Sequence, residues 1–223
     1  MNSVWDWDFA FEVLPDILNG LLVTIQATGL GSVLAYVLGL VFALLRRSPI
    51  RLVSGTTWLF MELVRSTPLL VQLFFLFYVL PLVGITLSPM VTGVIGLGLH
   101  YATYTAEVYR AGIEAVPKGQ WEAAIALSLP RTRTWTAVIL PQAITRVLPA
   151  LGNYTISMFK ETPLLLAIGV LDIVGAAQEE ASLAFRYVEP ITIAGIFFLL
   201  LSYPSSLLVR YLERRFGLAK QSV

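Results

Sequence analysis

Residues 17–45 read ILNGLLVTIQATGLGSVLAYVLGLVFALL, a run of 29 residues without Asp, Glu, Lys or Arg. About 20 helical residues cross a bilayer core about 30 Å thick, because lipid offers no partner to backbone polar groups that a helix leaves unpaired. The run ends at RRSP, residues 46–49, a basic stop followed by a helix breaker. This stretch predicts a transmembrane helix.

The composition of the whole chain supports the same environment. It is 57% hydrophobic and 13% charged, which differs from a soluble globular domain in both respects. The net charge of +1 gives no argument for a nucleic-acid partner, and the absence of cysteine excludes disulfides and thiolate metal sites. The first twenty residues carry four acidic and no basic residues, so we expect them to be retained rather than cleaved as a secretory signal.

Uncharged runs and their breakers predict an all-α, polytopic membrane protein of about five transmembrane helices. Residues 81–84 (PLVG) and Ser88-Pro89 divide one long apolar run into two spans, and residues 160–163 (KETP) interrupt the fourth. The predicted spans are 17–45, 56–80, 90–110, 147–171 and 190–209. We expect a single transmembrane domain over residues 1–223.

The distribution of basic residues predicts the orientation. Of 15 basic residues, 13 follow the first, third and fifth spans: Arg46, Arg47, Arg51, Arg65, Arg110, Lys118, Arg131, Arg133, Arg146, Arg210, Arg214, Arg215 and Lys220. Cytoplasmic segments carry such an excess. The N-terminus is therefore predicted outside, and the C-terminus and residues 111–146 in the cytoplasm.

The cytoplasmic segment 111–146 contains a predicted short helix. Pro117 and Pro130 bracket it, and residues 120–129 are good helix formers. Four of its residues share one face at spacings of three and four: Trp121, Ala124, Ile125 and Ser128. We expect this helix to lie along the membrane surface.

This segment resembles the EAA loop of importer permeases of the ABC class. The resemblance lies in Glu122-Ala123-Ala124, in Ser128, where the family usually has glycine, and in residues 138–141 (VILP), where the family commonly begins with isoleucine. In that family the loop is the coupling helix, which docks in a groove of a separate ATPase subunit. The residues that the resemblance assigns to this contact are Gln120, Trp121, Glu122, Ala123, Ala124, Ser128, Leu140 and Pro141.

Other segments resemble the polar amino acid uptake branch of the same family. They are residues 62–72 (ELVRSTPLLVQ), 106–110 (AEVYR), 117–120 (PKGQ) and 160–165 (KETPLL). The overall amino-acid sequence is similar to those of permeases for the compatible solutes ectoine and hydroxyectoine. The resemblance implies import of a polar amino acid or amino-acid-like solute across the cell (inner) membrane, with an extracytoplasmic solute-binding protein.

The chain lacks the phosphate-binding pattern GxxxxGK[ST]. We therefore expect no catalytic or metal residue and no bound cofactor in this chain, with ATP and Mg held by the partner subunit. Because five helices enclose a poor pathway alone, a second permease, identical or homologous, is expected.

Polar residues within the spans are candidates for the substrate pathway: Glu62, Arg65, Gln72, His100, Tyr104, Lys160, Glu161 and Thr162. Each also has a structural interpretation. Glu62 and Arg65 form a pair that suits a membrane anchor, His100 suits a satisfied interior histidine, and Lys160 and Glu161 suit pairing with a neighbouring subunit.

Two other classes of function remain open from the residues alone. A self-sufficient secondary transporter or channel would also place charges in its spans, although the chain shows no two-fold internal repeat. A membrane-embedded enzyme would need a grouping such as paired carboxylates or a Ser/His/Asp set, and the chain has one histidine.

Overall fold

The computed structural model describes residues 5–215, in which helices account for all regular structure. Ten α-helices follow in order: α1 Trp7–Glu12, α2 Leu14–Arg46, α3 Arg51–Arg65, α4 Leu69–Phe74, α5 Pro89–Glu114, α6 Lys118–Ala126, α7 Arg131–Arg133, α8 Leu140–Glu161, α9 Ile173–Ala184 and α10 Val188–Arg215. π-Helical turns occupy Phe75–Val79 and Thr134–Ile139, and 3-10 turns occupy Leu80–Val83 and Thr162–Ile168.

Two of these helices, α2 and α10, are long and apolar enough to cross a membrane on their own. The pair Arg51–Arg65 and Leu69–Val83 meets the same condition only together, as a strongly bent pair. α5 and α8 have 26 and 22 residues, or roughly 39 and 33 Å of helix, but carry more polar residues. Their lengths suit crossing helices that face protein rather than lipid on part of their surface.

The predicted second span, 56–80, is wrong as one continuous helix. α3 ends at Arg65, α4 begins at Leu69, and the axes of Arg51–Arg65 and Leu69–Val83 differ by 104°. Pro68 lies between them and lacks the backbone N–H that would continue the helix. A proline at position 68 predicts a break in the helix, but the size of the bend depends on the packing of both segments.

The other predicted breaks are confirmed. Gly84 adopts a left-handed conformation (φ 87°) after the 3-10 turn, and Ser88 caps α5, accepting a hydrogen bond from the Val91 N–H. α8 ends at Glu161, two residues before Pro163, which lies in the 3-10 turn that follows.

Three helix boundaries differ from the prediction. α8 begins at Leu140, seven residues before the predicted 147, because Pro141 lies in its first turn, where proline is tolerated. α9 occupies what was predicted as a loop, and Asp172 caps it by accepting the Gly175 N–H at 2.9 Å. α10 extends beyond 190–209 at both ends.

The core lies between α2, α4, α5 and α8, whose buried residues include Ala27, Leu73, Leu97 and Met158. Glycines permit the close approach of these helices. A Cβ atom on Gly39 of α2 would overlap Thr105 Oγ1 and lie 3.0 Å from the Ala102 carbonyl oxygen of α5. Gly93, Gly96 and Gly98 of α5 abut leucine side chains of other segments in the same way, so these small residues also permit close helix packing.

α2 defines the long axis of the bundle, and charges of opposite sign lie at its two ends. At its beginning Asp16 lies beside Glu179 and Glu180 of α9. At its end Arg46 and Arg47 lie near the segment that carries α6. The predicted basic residue Lys220 and the ends of the predicted domain lie outside residues 5–215.

Candidate functional site

α6 is the predicted coupling helix, with corrected ends. It spans Lys118–Ala126 rather than 120–129, because Ser128 adopts a left-handed conformation with φ 51°. Glycine accepts that conformation without the steric cost that a Cβ atom brings. The serine that stands where the resemblance has glycine therefore lies at the turn that ends the helix.

The helix packs on the bundle through part of the predicted face. Ala124 is buried, and Trp121 packs against the cluster formed by Ile113, Val116, Ile139 and Ala143. Ile125, predicted on this face, is 76% exposed, so the face that packs on the bundle is narrower than predicted.

The remaining predicted contact residues are accessible. Glu122, Ala123 and Pro141 are exposed, as is Leu140 at the start of α8. The Gln120 side-chain oxygen accepts a hydrogen bond from Gln142 Nε2 at 3.2 Å. An apolar and acidic surface is therefore available to a partner at this end of α2.

A chain of ion pairs connects α3 to α5. Arg65 lies 2.7 Å from Glu62 and 3.8 Å from Glu107, and Arg110 lies 2.7 Å from Glu107 and 2.6 Å from Glu114. The Glu62–Arg65 pair and the Glu107, Arg110, Glu114 cluster both agree with the predicted helical spacing. The predicted pathway residues Glu62 and Arg65 therefore belong to a larger network.

Gln72 closes the bend at Pro68. Its Nε2 donates to the Val64 and Thr67 carbonyl oxygens at 2.7 and 3.0 Å. The Val64 carbonyl oxygen has lost its usual helical donor because residue 68 is proline, and it accepts the Thr67 N–H at 3.3 Å instead. The same amide nitrogen lies 3.1 Å from His100 Nδ1 of α5. Gln72 Oε1 is buried without a hydrogen-bond partner. One side chain therefore fixes the bend, contacts the histidine and leaves an acceptor available.

Aromatic rings surround His100 near the middle of α5. Its ring centroid lies 5.5 Å from that of Tyr101 and 5.2 Å from that of Tyr104, and Tyr154 of α8 lies 5.8 Å from Tyr104. The carboxyl group of Glu161 neighbours Tyr101 and His100, and its Oε2 atom is buried without a hydrogen-bond partner. Aromatic faces and an unpaired carboxylate oxygen are both features that bind an ammonium group.

The structure places the last two candidates elsewhere. Lys160 is exposed on α8 and points away from its neighbour Glu161, as adjacent helical residues do. Thr162 is fully buried and donates to Asp172 Oδ2 at 3.0 Å. Asp172 caps α9, so Thr162 joins the end of α8 to α9 and does not line the polar cluster.

Sequence reasoning missed Tyr154 and Asp172. Tyr154 lies seven residues before Glu161, so the two share a face of α8, and this spacing could have identified it. Asp172 precedes a run of small helix formers, the pattern of an N-cap. Both were overlooked because their partners lie on other helices.

The opposite end of α2 carries an acidic concavity between α2 and α9. Asp16, Asn19, Glu179 and Glu180 line it. Burial and the neighbouring carboxylates of Asp16 and Glu179 raise the pKa of Glu180 above its ordinary value. This surface is therefore the acidic counterpart of the basic end that carries α6.

The structure thus joins an exposed short helix at the basic end to a helical bundle that carries a polar cluster within its helices. The chain belongs to the family of binding-protein-dependent transport system inner membrane components, which it matches over residues 13–218. It is a multi-pass membrane protein. Membership implies a solute-binding protein and an ATP-binding subunit as partners.

Relatives specify the branch. The chain is 46% identical over 205 residues to a probable amino-acid ABC transporter permease protein, y4tG, of Sinorhizobium fredii, covering 92% of this chain and 89% of that protein. It is 32% identical to the glutamine transport system permease protein GlnP of Escherichia coli, covering 95% and 97%. A crystal structure of an amino acid ABC transporter with histidines matches with a TM-score of 0.88 and 34% identity, over 95% of this chain and 99% of that chain. The chain is an amino-acid ABC transporter permease subunit.

Proposed function

We propose that α6 docks on the ATP-binding subunit and transmits its movement to α5 and α8. The observation that carries this proposal is the position of α6, which buries Ala124 against the bundle and leaves Glu122, Ala123 and Ile125 exposed. In this proposal ATP and Mg are bound and hydrolysed in the partner, and the chain itself holds no cofactor.

The exposed charge on α8 supports a second permease. A charged side chain unpaired at the bilayer centre costs about 2.5–3.5 kcal/mol, and Lys160 is exposed beside Glu161 near the middle of the bundle. A second permease, identical or homologous, covers this surface in the proposal. The exposed apolar residues of the bent segment, such as Phe75 and Tyr78, extend the same surface.

The polar cluster around His100 is the proposed contribution of this permease subunit to the substrate pathway. Arg65, Gln72, His100, Tyr104 and Glu161 contribute to it, with Tyr154 added from the structure. An amino acid presents one ammonium and one carboxylate group. The unpaired oxygens of Gln72 and Glu161 suit the ammonium group, and Arg65 suits the carboxylate.

Replacing Glu161 by Gln should raise the KM for amino-acid uptake about tenfold or more, because a charge-assisted hydrogen bond to the ammonium group, about 1.5–3 kcal/mol, is lost. The measurement is transport in proteoliposomes that contain the complete transporter, and Glu213→Gln on α10 is the matched carboxyl-to-amide control. Unchanged KM and kcat for Glu161→Gln on every amino acid tested would exclude this pathway.

The proposal also includes a membrane topology of five transmembrane helices. In this topology the N-terminus lies outside and the C-terminus lies in the cytoplasm. The separation of charge along α2 supports this topology, since basic residues accumulate on the cytoplasmic side. Because the chain has no cysteine, a single introduced cysteine is the only thiol that can be labelled. Its labelling therefore shows which side of the membrane that residue faces. We expect an impermeant maleimide to label Glu179→Cys from outside and Gln120→Cys only after the membrane is opened. The reverse pattern would overturn the orientation.

The identity of the amino acid stays a prediction. Ectoine or hydroxyectoine as the solute is supported by general sequence likeness alone. A self-sufficient secondary transporter or channel, the alternative from sequence, would accumulate solute in vesicles without the ATP-binding subunit, so uptake by the chain alone is the measurement that separates the two.

A further inference from the structure

α6 is joined to the bundle through a pair of tryptophans. The rings of Trp121 and Trp135 meet edge to face, with centroids 5.2 Å apart and an angle of 83°. Trp135 belongs to the π-helical turn Thr134–Ile139, which continues directly into α8. A displacement of α6 is therefore passed to α8 through Trp135.

A second element reaches the same ring. The guanidinium carbon of Arg47 lies 5.5 Å from the centroid of Trp135, within the range of a cation–π contact. Arg47 caps the end of α2, where its backbone N–H donates to the carbonyl oxygen of Leu44 at 3.1 Å. The side chain thus extends from the α2 terminus to the tryptophan pair that holds α6.

The end of α2 is itself firmly held. Ser54 of α3 donates to the Arg46 carbonyl oxygen at 2.9 Å, and Ala43, Met61 and Ala106 form a buried cluster between α2, α3 and α5. Arg47 therefore connects Trp135 to a rigid part of the bundle that is separate from α8.

We propose that Arg47 is a positioning residue for coupling: by its contact with Trp135 it holds α6 in register with the end of α2, so that α6 moves α2 as well as α8. This inference rests on the proposed function of α6. Arg47 touches neither solute nor nucleotide in this role. Its effect is on how much transport each hydrolysed ATP supports.

The test measures uptake per ATP hydrolysed in proteoliposomes that contain the ATP-binding subunit and the solute-binding protein. We expect Arg47→Ala to lower this ratio about fivefold, which at tenfold per 1.4 kcal/mol corresponds to about 1 kcal/mol. Arg47→Lys keeps a cation and should restore much of the ratio. Arg51→Ala is the matched control, because Arg51 is an exposed arginine of the same basic segment at the start of α3.

A double-mutant cycle separates positioning from stability. Trp135→Leu should lower the ratio, and adding Arg47→Ala to it should have little further effect, because both remove the same contact. The melting temperature of Arg47→Ala should equal that of the wild type. The inference is overturned if Arg47→Ala matches Arg51→Ala, if Arg47→Lys gives no recovery, or if the two substitutions are additive. If the wild-type transporter shows no solute-stimulated hydrolysis, the proposed function fails instead.

Discussion

Reversing the charge of Glu122 should reduce solute-stimulated ATP hydrolysis about a hundredfold while the chain still inserts in the membrane. Glu122 is exposed on α6, and its helix packs on the bundle through Trp121 and Ala124 instead. In the docked complex Glu122→Lys presents a cation where the partner accommodates a carboxylate, and a mismatched charge at an interface costs about 2–5 kcal/mol. Uptake should fall in parallel.

The measurement is ATP hydrolysis with and without solute in proteoliposomes, together with quantification of inserted permease. Glu213→Lys reverses a carboxylate on α10, outside the coupling segment, and should leave the stimulation intact. Glu122→Gln should give an intermediate loss. Normal stimulation in the Glu122→Lys transporter would exclude docking through this surface of α6.

The second large effect is expected at Gly39, where α2 and α5 are in closest contact. Even one methyl group would overlap Thr105 Oγ1, whose own hydrogen bond to the Ala35 carbonyl oxygen is 2.9 Å long. Overpacking of this kind costs about 1–3 kcal/mol. We expect Gly39→Ala to lower the melting temperature of the purified permease, and Gly39→Leu to leave little folded protein.

Gly29 provides the control on the same helix, because a Cβ atom there meets nothing within 4 Å. Gly29→Ala should be neutral or slightly stabilising, since alanine favours the helix more than glycine does. Thermal unfolding in detergent followed by size-exclusion chromatography compares the variants. If Gly39→Ala and Gly29→Ala unfold at the same temperature, the α2–α5 contact is looser than the structure indicates.

The sequence predicted those parts of the fold that depend on local chemistry. α2 and α10 are continuous apolar runs, Pro163 marks the end of α8, and Pro117 marks the beginning of α6. Each follows from lipid solvation or from the missing N–H of proline, neither of which needs a tertiary partner.

What the sequence left out depends on contacts between helices. Proline at position 68 predicts a break, but the 104° bend is fixed by Gln72, whose amide reaches back to Val64 and across to His100. The polar cluster likewise needed the structure, because Tyr154 approaches Tyr104, and Glu161 approaches His100, from another helix. The periodicity of a sequence identifies which residues share one face of a helix, but not which other helix packs against that face.

The sharp bend after Arg65 has a consequence for the surrounding lipid. Residues 69–83, the second segment of the bent pair, rise roughly 22 Å over 15 residues, less than the roughly 30 Å of an average hydrocarbon layer. In the proposed topology, where this segment makes the second crossing, the bilayer thins beside it to match its length. Headgroups and water then descend toward Arg65, and membranes built from thicker lipids should resist that deformation.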